Sequence, residues 1–280
     1  MAEGTTGYCG IRQNVGGKIT QQTGANTALA YMYLDPLPTN CCAAWFCTGS
    51  QRQGYNLAVF FYGCNFDCLF CQNASHKQLT EASQLSAEQL IEAALDSRVQ
   101  CICFFGGSPE PHLPFTIRVA RRILEASSQS KPVCWEWNGC GHPKLVIKAA
   151  ELAAQSGGTI KFDLKAYHPH VVKALCGVDN REALENFTTL AQKFPRNSFL
   201  TATTLLVPYY VDRKEVENIA RFISSLDRDI PYSLLIFHPE FYIRDLPITP
   251  RAQVRECLEA AQNHLNRVNL GNQHLLQFSD

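Results

Sequence analysis

NLAVFFYGCNFDCLFCQN (residues 56–73) joins two signals in one stretch. Its first seven residues form an almost unbroken apolar run rich in β-formers, the pattern of a strand covered on both faces. The remainder places Cys64, Cys68 and Cys71 within eight positions, on a loop that opens with Gly63. A buried strand thus leads directly into three thiols, and the chain on either side must say what sheet the strand joins and what the thiols hold.

Five further apolar runs follow: VQCICFF (99–105), PVCWEW (132–137), TIKFDLK (159–165), FLTATTLLV (199–207) and YSLLIF (232–237). Helical patterns lie between them. In SAEQLIEAALDS (86–97), Ser86 and Gln89 have the spacing of a capping box. In RKEVENIARFISSL (213–226), Val216, Ile219, Ala220 and Ile223 mark one helical face. Gly157-Gly158 ends another helical pattern, and Thr249-Pro250 reads as an N-cap followed by proline at the first helical position. Six β-α units in series predict a parallel sheet, because right-handed crossovers return the chain in one direction. An open barrel of six strands and a doubly wound sheet both satisfy that pattern. Residues 1–55 differ, being rich in Gly, Thr, Asn and Gln and weakly periodic, and are expected to form an N-terminal extension ahead of a domain over 56–280.

The 25 Lys and Arg balance 25 Asp and Glu, without a block of like charge, which argues against a nucleic-acid or anionic-membrane surface. No apolar stretch has the length of a membrane span, and the first thirty residues hold no continuous apolar core behind a basic start, so a soluble cytoplasmic protein is expected. Thirteen cysteines in a reducing compartment argue for metal ligation and packing rather than a disulfide framework.

Three thiolates on one loop can close on an inorganic centre. Structural zinc wants four protein ligands, usually in two separated pairs; His76 could be a fourth here, although this spacing is unusual for zinc. Packing thiols are the plain alternative. Iron–sulfur clusters also usually take four cysteines, so a triplet suggests a [4Fe-4S] cluster with one iron left open, able to chelate the amino and carboxylate groups of a small molecule.

CNFDCLFC (64–71) resembles the C-x3-C-x-aromatic-C signature of the radical S-adenosylmethionine (radical SAM) superfamily. The resemblance implies a partial (β/α)6 TIM-like open barrel with an irregular, Cys-containing N-terminal extension. It implies a [4Fe-4S] cluster on Cys64, Cys68 and Cys71, and S-adenosylmethionine as cosubstrate, with Phe70 near the adenine. FFGGSPEP (104–111) is similar to the stretch that binds the methionine amino group, which implies Gly106, Gly107 and Ser108 in the cofactor pocket; Ser108 stands where Glu is common, so the implied contact is through backbone. CWEWNGCG (134–141), with Glu136 and Asn138, and KFDLKAY (161–167), with Asp163 and Lys165, resemble the pyruvate formate-lyase activating enzyme branch. His238 of LLIFHPEF (234–241) matches a His that lies against the adenosyl group in that branch. Thr203 and Tyr209 stand where the branch has Arg and Gly, whereas GYCGIRQNVGGKI (7–19), FHPEFYIRDLPITP (237–250) and NLGNQHLL (269–276) are more similar to AmmeMemoRadiSam-type relatives.

The implied function is reductive cleavage of S-adenosylmethionine to a 5'-deoxyadenosyl radical that takes hydrogen from a small-molecule or peptidyl substrate. One alternative is an activase that installs a glycyl radical on a partner protein. Another is a non-enzymatic iron–sulfur electron carrier or sensor. An external low-potential electron donor is expected, since the chain carries no flavin or nicotinamide fingerprint. Cys9, Cys41, Cys42 and Cys47 are a candidate second metal site. Cys101, Cys103, Cys134, Cys140, Cys176 and Cys257 read as packing residues, Cys103 least securely.

Overall fold

Each apolar run read from the sequence is a strand. In chain order the strands are β1 (Arg12–Val15), β2 (Lys18–Gln21), β3 (Thr27–Pro36), β4 (Tyr55–Phe61), β5 (Gln84–Ser86), β6 (Val99–Gly106), β7 (Val133–Trp137), β8 (Ile160–Asp163), β9 (Leu200–Leu206), β10 (Tyr232–Ile236) and β11 (Val268–Gly271). The helices are α1 (Ala87–Leu95), α2 (Leu113–Ala126), α3 (Pro143–Ser156), α4 (Pro169–Cys176), α5 (Arg181–Lys193), α6 (Arg213–Leu226) and α7 (Arg251–Gln262). The computed structural model describes residues 1–39, 41–127, 130–194 and 199–279. It divides into a unit of Met1–Asn65, Asn73–Trp137 and Gly141–Ile160 and a unit of Phe66–Gln72, Asn138–Cys140 and Lys161–Asp280.

In the first unit the strand order is β5-β3-β4-β6-β7. The expected parallel strands β4, β6 and β7 run in one direction, and β4 is buried along nearly its whole length, as its unbroken apolar sequence requires. Residues 1–55 contribute an antiparallel hairpin of β1 and β2, together with β3, which pairs antiparallel with β4 from Ala30 opposite Phe61 to Pro36 opposite Tyr55. Ser86 caps α1 with the full reciprocal box to Gln89. Gly157, at φ +75°, closes α3 in the left-handed conformation.

In the second unit the strand order is β8-β9-β10-β11, with β9, β10 and β11 parallel. The apolar face of α6 buries Val216, Ile219, Ala220 and Ile223, as read from the sequence. A seventh parallel strand, β11, was not expected. Its residues VNLG are only half-buried and carry too little apolar signal to mark a strand. The cap of α7 is also corrected, since the residue preceding the helix is Pro250, not Thr249. The Thr249 hydroxyl is engaged elsewhere, accepting from the Phe237 amide at 2.8 Å and donating to the Leu206 carbonyl at 2.7 Å. Among the described residues no helix is long and apolar enough to cross a membrane.

Candidate active site

The sequence-predicted residues fall into two groups, each within one unit. In the first, β4 delivers the chain to Gly63 and Cys64, and β6 delivers it to Gly106, Gly107 and Ser108. The two turns are tied by backbone: Gly107 N–H donates to Phe61 O at 2.9 Å, Ser108 N–H donates to Gly63 O at 3.0 Å, and Gly63 N–H donates to His76 O at 2.9 Å. The glycines are dictated by this approach. A Cβ on Gly107 would lie 2.4 Å from Gly63 O and 2.6 Å from His76 Cγ, and one on Gly106 would lie 2.5 Å from Phe61 N. Gly-Gly therefore seats β6 against the loop that carries Cys64, which is itself buried.

Two buried side chains brace this turn. Ser108 Oγ donates to a carboxylate oxygen of Glu110, a residue the sequence reading passed over because the glycines dominated the motif. His112 is fully buried, and its Nε2 lies 2.9 Å from Tyr62 O, which requires the Nε2–H tautomer. Burial pushes the His112 pKa down to about 4, helped by nearby Arg12, although the hydrogen bond to Tyr62 O opposes the shift.

A stability dependence follows. Between the unfolded value near 6.5 and the folded value of about 4, the unfolded chain binds the proton and the folded chain does not. Stability is therefore expected to fall as pH drops through that window, by on the order of 3 kcal/mol from this group. The urea midpoint of the wild type should decline more steeply from pH 6.5 to 4 than that of His112→Gln, which keeps an N–H donor without the titration. Parallel profiles would refute the assignment.

In the second unit, Phe66, Cys68 and Phe70 are buried while Asp67 is half-buried and Leu69 exposed, on a loop that turns where Cys71 N–H donates to Cys68 O at 3.3 Å. The end of α4 clamps it: Asp67 N–H donates to Cys176 O at 2.9 Å and Leu69 N–H to Leu175 O at 2.8 Å. On its other side Tyr242 N–H donates to Leu69 O at 3.0 Å. Lys165 is ion-paired with Asp163, and its Nζ stands 5.5 Å from the centre of the Phe70 ring. Burial pulls the Lys165 pKa down, but Asp163, Cys68 and Cys176 outweigh it and hold the value well above that of an ordinary lysine. Cys176, read from the sequence as a packing residue, shares a hydrogen bond with Cys68, and this bond together with burial pushes its thiol pKa up.

Asn138, Asp163 and Lys165 line one cavity of about 10 Å³ with Phe66 and Asn180, and Asp163 Oδ1 is buried there without a hydrogen-bond partner among the described residues. Gly139 holds the Asn138 turn at φ +84°, and Asn186 donates to its carbonyl at 2.8 Å. His238 follows β10, half-buried, with Nδ1 3.4 Å from Pro239 O. Glu136 and the amino-terminal cysteines sort differently from their sequence grouping. Cys41 Sγ, Cys42 Sγ and a Glu136 carboxylate oxygen all lie within 4.8 Å of one another. Cys9 sits instead against the Gly63–Cys64 backbone, and Cys47 against Gly49.

The comparisons with known proteins point one way. A family model described as the Radical SAM superfamily matches residues 58–223. An uncharacterized protein of Methanocaldococcus jannaschii is 26% identical over 272 residues, covering 94% of this chain and 74% of the relative. A second protein of that organism, provisionally named a glycyl-radical enzyme activating enzyme, is 23% identical over 216 residues, covering 75% of this chain and 86% of the relative. The crystal structure of a domain of pyruvate-formate lyase-activating enzyme from Bacteroides vulgatus superposes with a TM-score of 0.51 at 20% identity, covering 61% of this chain and 98% of that one. This likeness bears on fold, and the fold class is the expected one: mixed α/β with mostly parallel strands, consistent with a partial, open TIM-like barrel.

Proposed function

The chain belongs to the radical SAM superfamily, a family of enzymes, and from that premise we propose that it takes hydrogen from a small-molecule or peptidyl substrate by means of a [4Fe-4S] cluster and S-adenosylmethionine. When bound, these groups supply reductive cleavage of the sulfonium to methionine and a 5'-deoxyadenosyl radical. The observation that carries the reading is the Cys68, Cys176, Lys165, Asp163 and Phe70 cluster, in which a buried cation and a second thiol stand beside one cysteine of the triplet. That donor set fits the cluster. A nearby positive charge and a hydrogen bond both favour the thiolate that ligation requires, and Cys64 and Cys68 are buried.

The chain's own groups divide the remaining work. Cys64, Cys68 and Cys71 would hold the cluster. An ammonium donates, so the backbone groups this stretch could offer it are carbonyl oxygens, such as that of Gly106, which also accepts from Asn73 Nδ2 at 3.3 Å. Lys165 would orient an anionic group of the cofactor, and Phe70 would offer a ring face or edge to the adenine. Asp163 Oδ1, buried and unpartnered, suits a hydroxyl or amino donor. Asn138 and His238 complete the proposed set, whereas Glu136, expected there by resemblance, has its carboxylate beside Cys41 and Cys42 instead. The electron would come from an external low-potential donor.

Relatives named as activating enzymes support a second reading, in which the hydrogen is taken from a glycine of a partner protein. The test is anaerobic reconstitution with iron and sulfide, followed by dithionite and S-adenosylmethionine, with 5'-deoxyadenosine as the product assayed. Cofactor-dependent 5'-deoxyadenosine is the expected result. A fully iron-loaded protein that bound no S-adenosylmethionine in equilibrium dialysis would refute the proposal and leave an electron carrier. A persistent organic radical on an added glycyl-radical enzyme would select the second reading.

A further inference from the structure

Between β3 and β4, residues 41–50 fold as a hydrogen-bonded turn. Ala44 N–H donates to Cys41 O at 2.9 Å, Cys47 N–H donates to Ala43 O at 2.9 Å, and Ser50 Oγ donates to Ala44 O at 2.7 Å. Ala43 is buried to 1% exposure, which anchors the turn. On either side of that anchor the turn presents thiols, and the Ala43 amide points at Cys41 Sγ from 3.4 Å, a contact that favours a thiolate. Glu136 is the one acidic residue of β7, flanked by Trp135 and Trp137, and its carboxylate joins Cys41 and Cys42 within a 4.8 Å span. An acid in an apolar strand, placed against two thiols of a hydrogen-bonded turn, is an arrangement that packing does not call for.

We propose that Cys41, Cys42 and Glu136 bind one thiophilic divalent cation of the zinc class, with ligands distinct from the Cys64, Cys68 and Cys71 triplet. Tetrahedral zinc, with Zn–S of ~2.3 Å and Zn–O of ~2.1 Å, places its ligand atoms roughly 3.5–3.8 Å apart. The present span exceeds that spacing by at most about 1 Å. Thiolates select against Mg²⁺ and Ca²⁺, and a carboxylate among the ligands departs from the four-cysteine set of ordinary iron–sulfur clusters. Binding displaces two thiol protons, so the loaded site carries a formal charge of –1. Three protein ligands leave a fourth position for water or another exogenous donor, the arrangement of a zinc site open to chemistry rather than a closed structural one.

The test uses iron- and sulfide-reconstituted protein equilibrated with buffered Zn²⁺, with zinc and iron counted by mass spectrometry and the zinc environment read by X-ray absorption. One zinc per chain with two sulfur scatterers is expected, persisting in a Cys64/Cys68/Cys71→Ala variant. A Cys41→Ser/Cys42→Ser variant should lose the zinc and keep the iron. Glu136→Gln should weaken zinc binding by more than the ~10–100-fold that losing an outer-shell partner costs. Any of four results overturns the proposal: no stoichiometric zinc in the wild type, zinc retained without Cys41 and Cys42, zinc lost with the triplet, or iron that follows Cys41 and Cys42. Should the double variant fail to fold, Glu136→Gln decides alone, and unchanged affinity overturns the site.

Discussion

Cys68→Ala is expected to reduce cluster iron to background after reconstitution and 5'-deoxyadenosine formation to below detection, whereas Cys176→Ala should keep its iron. The two sulfurs share a hydrogen bond, so composition alone does not say which is the ligand. Their settings do. Cys176 is the last residue of α4, where the negative end of the helix dipole disfavours a thiolate, while Cys68 lies on a loop beside the Lys165 ammonium. Cys176 therefore acts as the S–H donor and Cys68 as the acceptor. Hydrogen bonds to cluster sulfurs tune the reduction potential, and losing one that stabilises added negative charge should move the Cys176→Ala midpoint to a more negative value. Iron content and a redox titration read the two effects separately. If Cys176→Ala lost iron as completely as Cys68→Ala, Cys176 would be a ligand and the open-iron reading would fail.

The contrast also shows where sequence reading stops. β4, β6, β7, β9 and β10 were legible because strands buried on both faces are written in near-continuous runs of apolar and β-forming residues. β3 was not, because TALAYMYLDP alternates, burying Ala28 and Ala30 while leaving Tyr31 and Tyr33 partly exposed, and it sits within a stretch judged by its polar composition. The cysteine triplet was legible because its spacing is local. Cys176 was not, since the clamp that brings α4 onto residues 66–72 is tertiary and leaves no periodic trace. Glu136 was marked, by resemblance, for the cofactor pocket. Its neighbours Cys41 and Cys42 lie far from it in sequence, and only the fold brings the three together.

Gly107→Ala should damage both stability and cofactor loading. The added Cβ would stand 2.4 Å from Gly63 O, 2.6 Å from His76 Cγ and 2.8 Å from His76 Cβ, against an ordinary contact beyond 3.4 Å. None of these atoms is the loose end of a side chain. Gly63 is held by hydrogen bonds to His76 and Ser108, and His76 is buried. Relief requires moving backbone by about 1 Å, a form of overpacking that typically costs ~1–3 kcal/mol. The Ser108 to Gly63 hydrogen bond would stretch as well, adding about 1 kcal/mol. Cys64 is next in the chain to Gly63, so its sulfur moves with the clash and iron loading is expected to fall along with stability. Gly157→Ala provides the comparison. Gly157 sits at φ +75° with nothing within 4 Å of its Cβ position, so alanine there meets backbone strain of roughly 1–2 kcal/mol and no steric contact. Its urea midpoint should drop while iron content holds at the wild-type level. Equal iron loading in the two variants, at matched loss of stability, would show that Gly-Gly serves the fold alone and does not position Cys64.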